Sequence, residues 1–300
     1  MRTNHVVTFV FRIIAMFAFS CLPVLAQMPE TDIFVGHVSL TDNGFIIDSL
    51  VNMTHRDGYD NQPYFLPDGE SFLFTEYLTN QSDIYRCYIR TDSIVRVTDT
   101  PESEYSPTIM PDGRSFSVVR VEKDSTQRLW KFPLQGGAPE LLLENVKPVG
   151  YQAWIDSETV ALFVLGDTNT LHIANVRTKG DQRLPGEIGR SIHKVVKGRL
   201  VSFVAKALPN QWWISTIEPG ADAANRIVRT LPGRDLFAWT PGGEVVMGDS
   251  SKLYSWRPGS DVGWKLNSDL SKWGIAEVSR IAFSPKGDRI AVVGIMAPKK

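Results

Sequence analysis

Gln62-Pro-Tyr-Phe-Leu-Pro-Asp-Gly-Glu-Ser-Phe-Leu-Phe74 decides the fold, because it returns 44 residues later as Ser106-Pro-Thr-Ile-Met-Pro-Asp-Gly-Arg-Ser-Phe-Ser-Val118. Weaker copies follow at Tyr151-Gln-Ala-Trp-Ile-Asp-Ser, Val195-Val-Lys-Gly-Arg-Leu, Ala238-Trp-Thr-Pro-Gly-Gly-Glu and Ala282-Phe-Ser-Pro-Lys-Gly-Asp. With Gly69, Gly113, Ser157, Gly198, Gly243 and Gly287 as turn positions, the steps are 44, 44, 41, 45 and 44 residues. A period of about 40–50 residues made of short apolar runs is the mark of propeller blades. Six copies predict an all-β, six-bladed β-propeller.

Each unit has room for four short strands. In Pro-Asp-Gly, proline presets φ, aspartate bonds back to the chain and glycine accepts positive φ, so the tripeptide turns one strand into the next. The turn joins Pro63–Leu66 to Ser71–Thr75. A third strand carries an apolar residue followed by a ring, as in Ile84-Tyr85, Leu129-Trp130, Leu171-His172, Trp212-Trp213 and Leu253-Tyr254. Such residues suit a half-buried pleated surface. A fourth is expected at Ile94–Val97 and its counterparts. Val196-Lys197-Gly198 lacks the Pro-Asp pair, so the fourth blade should be the least regular.

The sixth unit ends after two strands, and the missing two stand at the other end of the chain. Asp32-Ile-Phe-Val matches Asp83-Ile-Tyr-Arg, and Thr54 precedes Pro67 as Thr98 precedes Pro111. Residues 32–53 are therefore expected to pair against 280–294 and close the ring, which removes its open edges. No linker divides residues 27–300, which read as a single domain.

Residues 1–26 read as a secretory signal. Arg2 and Arg12 charge its start, Ile13–Leu22 forms a largely apolar run, and Val24-Leu25-Ala26 offers cleavage before Gln27. Retention as an anchor and lipid attachment at Cys21 are the alternatives. Removing Arg2 and Arg12 leaves 30 basic against 33 acidic side chains, which argues against nucleic acid as partner. Cys87 then stands alone, with no disulfide available, and reads as a small apolar filler.

On these motifs, strong at Phe65–Phe74, Ile109–Val118 and Phe283–Val292 and weak at Val195–Phe203, the chain resembles the TolB-like six-bladed propellers built from WD40-like Pro-Asp repeats. The resemblance spans residues 32–294. It implies bacterial export, a periplasmic or secreted location, a protein or peptide partner in the cell envelope, and usually no catalysis by the propeller itself. TolB proper carries an α/β domain ahead of its propeller, for which residues 27–31 leave no room here. The same repeats gate prolyl oligopeptidase-type peptidases, but the Gly-x-Ser-x-Gly elbow of their hydrolase domain does not occur.

No catalytic or metal-binding motif is present: no His-Glu-x-x-His, no Cys-x-x-Cys and no phosphate-cradling glycine loop. His37, His55, His172 and His193 fall in different units. The candidate site is the channel mouth, where loops entering each blade converge. Asp57, Tyr59, Asp60, Glu102, Glu104, Tyr105, Arg234 and Asp235 are its expected residues, with Tyr59 and Tyr105 read as equivalent. Carboxylates prevail there, so the expectation is a negative mouth favouring a cation or a basic peptide. Calcium is conceivable, although no ligand spacing demands it. Two readings follow: an exported, non-catalytic binding scaffold that is not an integral membrane protein, or a propeller hydrolase of lactonase or glycosidase type.

Overall fold

A computed structural model describes residues 28–41, 44–196, 198–209 and 211–298. The signal sequence expected at residues 1–26 lies outside these. The described chain forms six four-stranded antiparallel sheets. Their innermost strands, which line the channel, are Tyr59–Phe65, Ser103–Ile109, Val149–Trp154, Ile188–Lys194, Phe237–Trp239 and Ile275–Phe283. Among the described residues the only helix is a 3-10 turn at Ser271–Trp273.

The ring closes as the repeat register requires. Asp32–Thr41 pairs with Arg289–Met296, from Asp32 opposite Gly294 to His37 opposite Arg289, and Gly44–Asn52 forms the outer edge of that sixth blade. The equivalence extends to single bonds. Thr54 Oγ1 accepts from the Ile33 amide at 3.0 Å, as Thr98 Oγ1 accepts from the Ile84 amide at 2.9 Å.

Apolar packing lies between blades. Ile33, Val35 and Met53 of the sixth blade meet Phe65, Phe72, Phe74 and Cys87 of the first. Phe34 and Val38, on the opposite face of the same N-terminal strand, meet Ala238, Val246 and Leu253 of the fifth. Alternation along one strand thus supplies two interfaces. The other four junctions have clusters of the same kind. Cys87 is fully buried in the first junction, and burial pushes its thiol up to about 12.

The turns follow their chemistry. Gly69 and Gly113 sit at φ 71° and 62°, and the Asp112 carboxylate accepts from the Arg114 and Ser115 amides at 2.8 and 2.9 Å. Asp156 makes the equivalent pair of bonds in blade three. Blade four keeps its four strands without such an aspartate, although its two innermost strands break register between Ile188 and Ile192.

Candidate functional site at the channel

Five of the six innermost strands reach the axis through a local break in pairing, Phe237–Trp239 being the exception. Blades one and two have bulges between Asn61 and Tyr64 and between Tyr105 and Thr108, with Gln62 and Ser106 at φ 61° and 55°. The break turns polar groups toward the neighbouring blade. Gln62 Oε1 accepts from the Ser106 amide at 2.7 Å, and Gln152 Nε2 donates to the Ser106 carbonyl at 2.6 Å. Three blades are thereby tied edge to edge around the channel waist.

At that waist Arg280 crosses the axis. Its guanidinium lies 5.1 Å from the ring centroid of Tyr151, which belongs to the blade diametrically opposite, while its Nε donates to Asn61 Oδ1 at 3.3 Å. The channel is divided into two cavities, of about 670 Å³ on the side of the loops entering each blade and about 370 Å³ on the side of the Pro-Asp-Gly turns.

The larger cavity, the upper basin, has a basic floor. Arg190 and Arg280 both line it. Arg190 Nη2 contacts Asp235 Oδ1 at 3.1 Å, and Lys206 Nζ contacts Oδ2 of the same carboxylate at 2.9 Å. Burial pushes the Asp235 carboxyl up, but the Lys206 hydrogen bond and the Arg190 charge outweigh it and hold the group below the ordinary range. Two cations thus share one anion. Arg280 has no carboxylate within ion-pair reach among the described residues. Tyr59, Tyr105 and Tyr151 complete the lining. Burial raises the Tyr59 phenol well above its usual value, with Arg280 and Arg190 pulling the other way, so it remains a proton donor.

The rim has the opposite balance. Arg234 bonds Asp249 at 2.7 Å and Glu277 at 3.0 Å, one guanidinium against two half-exposed carboxylates.

The smaller cavity is lined by Pro63, Pro107, Pro241 and Pro285 with Trp154 and Trp239. Trp154 Nε1 donates to Ser117 Oγ at 2.9 Å and Trp239 Nε1 to Ser202 Oγ at 2.8 Å, each reaching the preceding blade. His193 also faces this cavity, and burial lowers its pKa to about 4. The neutral ring donates from Nε2 to the Phe237 carbonyl at 2.6 Å.

Of the residues expected at the mouth, Tyr59, Tyr105, Arg234 and Asp235 are brought together in the upper basin. Asp57 is exposed and does not line it. Asp60 and Glu104 are buried inside blades one and two and are held in ion pairs, with Arg56 at 2.8 Å and Arg120 at 3.0 Å. Glu102 lies 3.9 Å from the same Arg120. Three of the carboxylates that suggested a negative mouth, Asp60, Glu102 and Glu104, therefore face Arg56 and Arg120 within the blades. Tyr59 and Tyr105 are not equivalent positions either. Tyr59 pairs with Tyr77, whereas Tyr105 pairs with Val119 and so corresponds to Asn61, which pairs with Thr75.

Arg190, Arg280 and Tyr151 escaped the sequence reading. One signal was available: Arg280 stands seven residues before Gly287, the offset of Gln62 from Gly69 and of Ser106 from Gly113. Among the described residues no group of three or more His, Cys, Asp or Glu side chains is placed to hold a metal ion. No described helix is long and apolar enough to cross a membrane.

No protein-family model and no curated protein matches the chain. Solved structures do. A protein described as a putative TolB from Agrobacterium tumefaciens superposes with a TM-score of 0.70 at 16% identity, over 90% of this chain and 99% of its own. XC5397 from Xanthomonas campestris, described as a gluconolactonase, gives 0.62 at 8% identity, over 90% and 98%. TolB from Acinetobacter baumannii gives 0.60 at 12%, over 89% of this chain and 64% of that one. At such identities the likeness is one of fold: this is a TolB-like six-bladed propeller, an architecture shared by binding proteins and enzymes alike.

Proposed function

We propose that the protein is an exported, non-catalytic binding scaffold of the bacterial cell envelope that engages a partner through the upper basin. The observation carrying this reading is the state of the basin's carboxylates. Among the described residues only the carboxylates of Asp235 and Glu277 line it, and both are committed to ion pairs, the first to Arg190 and Lys206 and the second to Arg234. A glycosidase-type mechanism asks for two carboxyl groups facing each other across the reacting bond, one of them free to move a proton. Here the groups facing each other across the axis are a guanidinium and a phenol ring. The inter-blade bonds of Gln62, Gln152 and Arg280 brace the basin, which suits a surface that presents rather than one that rearranges.

Export through residues 1–26, the TolB-like fold and the lack of a recognisable catalytic signature support the same reading. A photo-crosslinking residue at Tyr105 tests it. Crosslinks to a discrete envelope protein are expected from Tyr105 and not from Val95 on the outer edge of blade one. The hydrolase reading is supported by the gluconolactonase neighbour. Hydrolysis of δ-gluconolactone by the purified protein, abolished by Asp235→Asn or Glu277→Gln, would establish it instead.

A further inference from the structure

The upper basin is cationic at its floor and acidic at one side of its rim, and that order constrains what can enter. Arg280 brings a full charge to the axis and, among the described residues, has only an amide oxygen and a ring face as partners. Arg190 and Lys206 together carry one positive charge more than Asp235 neutralises. Tyr59 senses both guanidiniums, which places the two arginines in one electrostatic neighbourhood. The hydroxyls of Tyr59, Tyr105 and Tyr151 donate to no protein acceptor among the described residues, although all three line the cavity. Guanidinium forks together with phenol donors match the two oxygens of a carboxylate. Above them, Asp249 and Glu277 outnumber Arg234 and repel a ligand that is acidic along its length.

We propose that the basin is a receptor for a single terminal carboxylate, the C-terminus of a partner polypeptide whose preceding residues are neutral or basic. The carboxylate sits on Arg280 and Arg190, the tyrosine hydroxyls complete its hydrogen bonds, and a lysine or arginine a few residues upstream meets Asp249 and Glu277. This rests on the scaffold reading and adds to it the chemistry of the ligand. The cavity of about 670 Å³ admits the last few residues of a chain and no folded domain.

The test uses the purified protein and fluorescein-labelled Gly-Lys-Lys-Gly-Ala-Ala, prepared with a free C-terminal carboxylate and as the C-terminal amide. The free acid is expected to bind at least about tenfold more tightly than the amide, with the difference shrinking as salt rises. Arg280→Gln and Arg190→Gln should each abolish the difference, while Arg177→Gln on the outside of blade three should leave it intact. Because Arg280 also braces the waist, Tyr59→Phe provides a gentler variant, with an expected loss of about threefold for the acid and none for the amide. Labelled hexaglutamate should bind more weakly than the lysine-bearing acid. Equal affinity of acid and amide, or no binding of either at millimolar concentration, overturns the inference. Tighter binding of free glucuronate than of the peptide acid replaces the polypeptide ligand with a sugar acid. If the Tyr105 crosslink forms as well in Arg190→Gln as in the parent, the scaffold reading stands and the carboxylate inference fails. If the acid binds as expected and no crosslink forms, the reverse holds.

Discussion

Blades one and two repeat nearly the same sequence around their turns, yet they neutralise a buried carboxylate in different ways. In blade one Asp60 stands directly opposite Glu76 on the neighbouring strand, two acids face to face. The compensating cation comes from the loop before the strand: Arg56 reaches Asp60 at 2.8 Å and Glu76 at 2.6 Å, with its guanidinium 5.7 Å from the rings of both Phe74 and Tyr85. In blade two the equivalent rung pairs Glu104 with Arg120, so the cation is supplied by the strand itself, at 3.0 Å and stacked 4.6 Å from Trp130. A buried charge must be paired, but the fold does not dictate which element supplies the partner. Blade one thereby pins its entry loop, and the basin wall carrying Tyr59, to the sheet.

Removing the two arginines should give the largest effects and should rank them. Arg56→Met leaves two carboxylates opposite each other, with an expected loss of about 5 kcal/mol in urea unfolding. Arg120→Met leaves Glu104 uncompensated beside the half-buried Glu102, with an expected loss of about 3 kcal/mol. A larger loss from Arg120→Met would break the comparison, since it would mean that Asp60 and Glu76 neutralise themselves by sharing a proton.

Turn substitutions should be milder. Gly113→Val is expected to cost roughly 1 kcal/mol, because its φ of 62° disfavours a Cβ that would otherwise meet nothing within 4 Å. Gly69→Val should cost somewhat more. A Cβ there lies 3.7 Å from Ser284 and 3.9 Å from Pro285, ordinary contact that the two γ-methyl groups of valine would overcrowd. Thermal unfolding of both variants sharpens the contrast between a free turn and one packed on its neighbour.

The smallest effect is a slope. Burial raises the Glu104 carboxyl above its ordinary 4.5, in spite of the Thr100 hydrogen bond and the Arg120 charge. The folded state then holds that proton more tightly than the unfolded chain does, so Glu104 favours the fold less as pH rises from 4.5 through its raised value. Relative to Glu104→Gln, the parent should lose stability across that interval, as measured by urea unfolding at pH 4, 5, 6 and 7. A difference independent of pH, or one growing in the opposite direction, contradicts this account of blade two.

The legible part of the molecule was local. Asp112 bonds the two amides that its turn chemistry calls for, Gly69 and Gly113 take positive φ, and Thr54 performs for the clasp what Thr98 performs for blade one. Each of these depends on a few neighbouring residues or on one repeat compared with the next. The site was only half legible. Tyr59, Tyr105, Arg234 and Asp235 line the channel, as loops entering the blades would place them, but counting acids in those loops did not disclose Arg190 and Arg280 at its floor. Burial is what such a count misses: Asp60 and Glu104 sit on regular rungs just before the bulges and are buried in their own blades, where Arg56 and Arg120 meet them.

The sequence by itself determined that this is a closed six-bladed ring, because a repeat of constant period, its turn chemistry and the match between the two chain ends all state the same thing. Only the tertiary structure decided where the charge lies. Arg280 and Tyr151 are 129 residues apart in the chain and meet because they stand on opposite blades of a narrow ring. Arg190 and Lys206 converge on Asp235 from a neighbouring blade. Ionic and ring contacts act through space at a few ångströms with no regard for chain distance, so nothing in the local pattern of residues announces them.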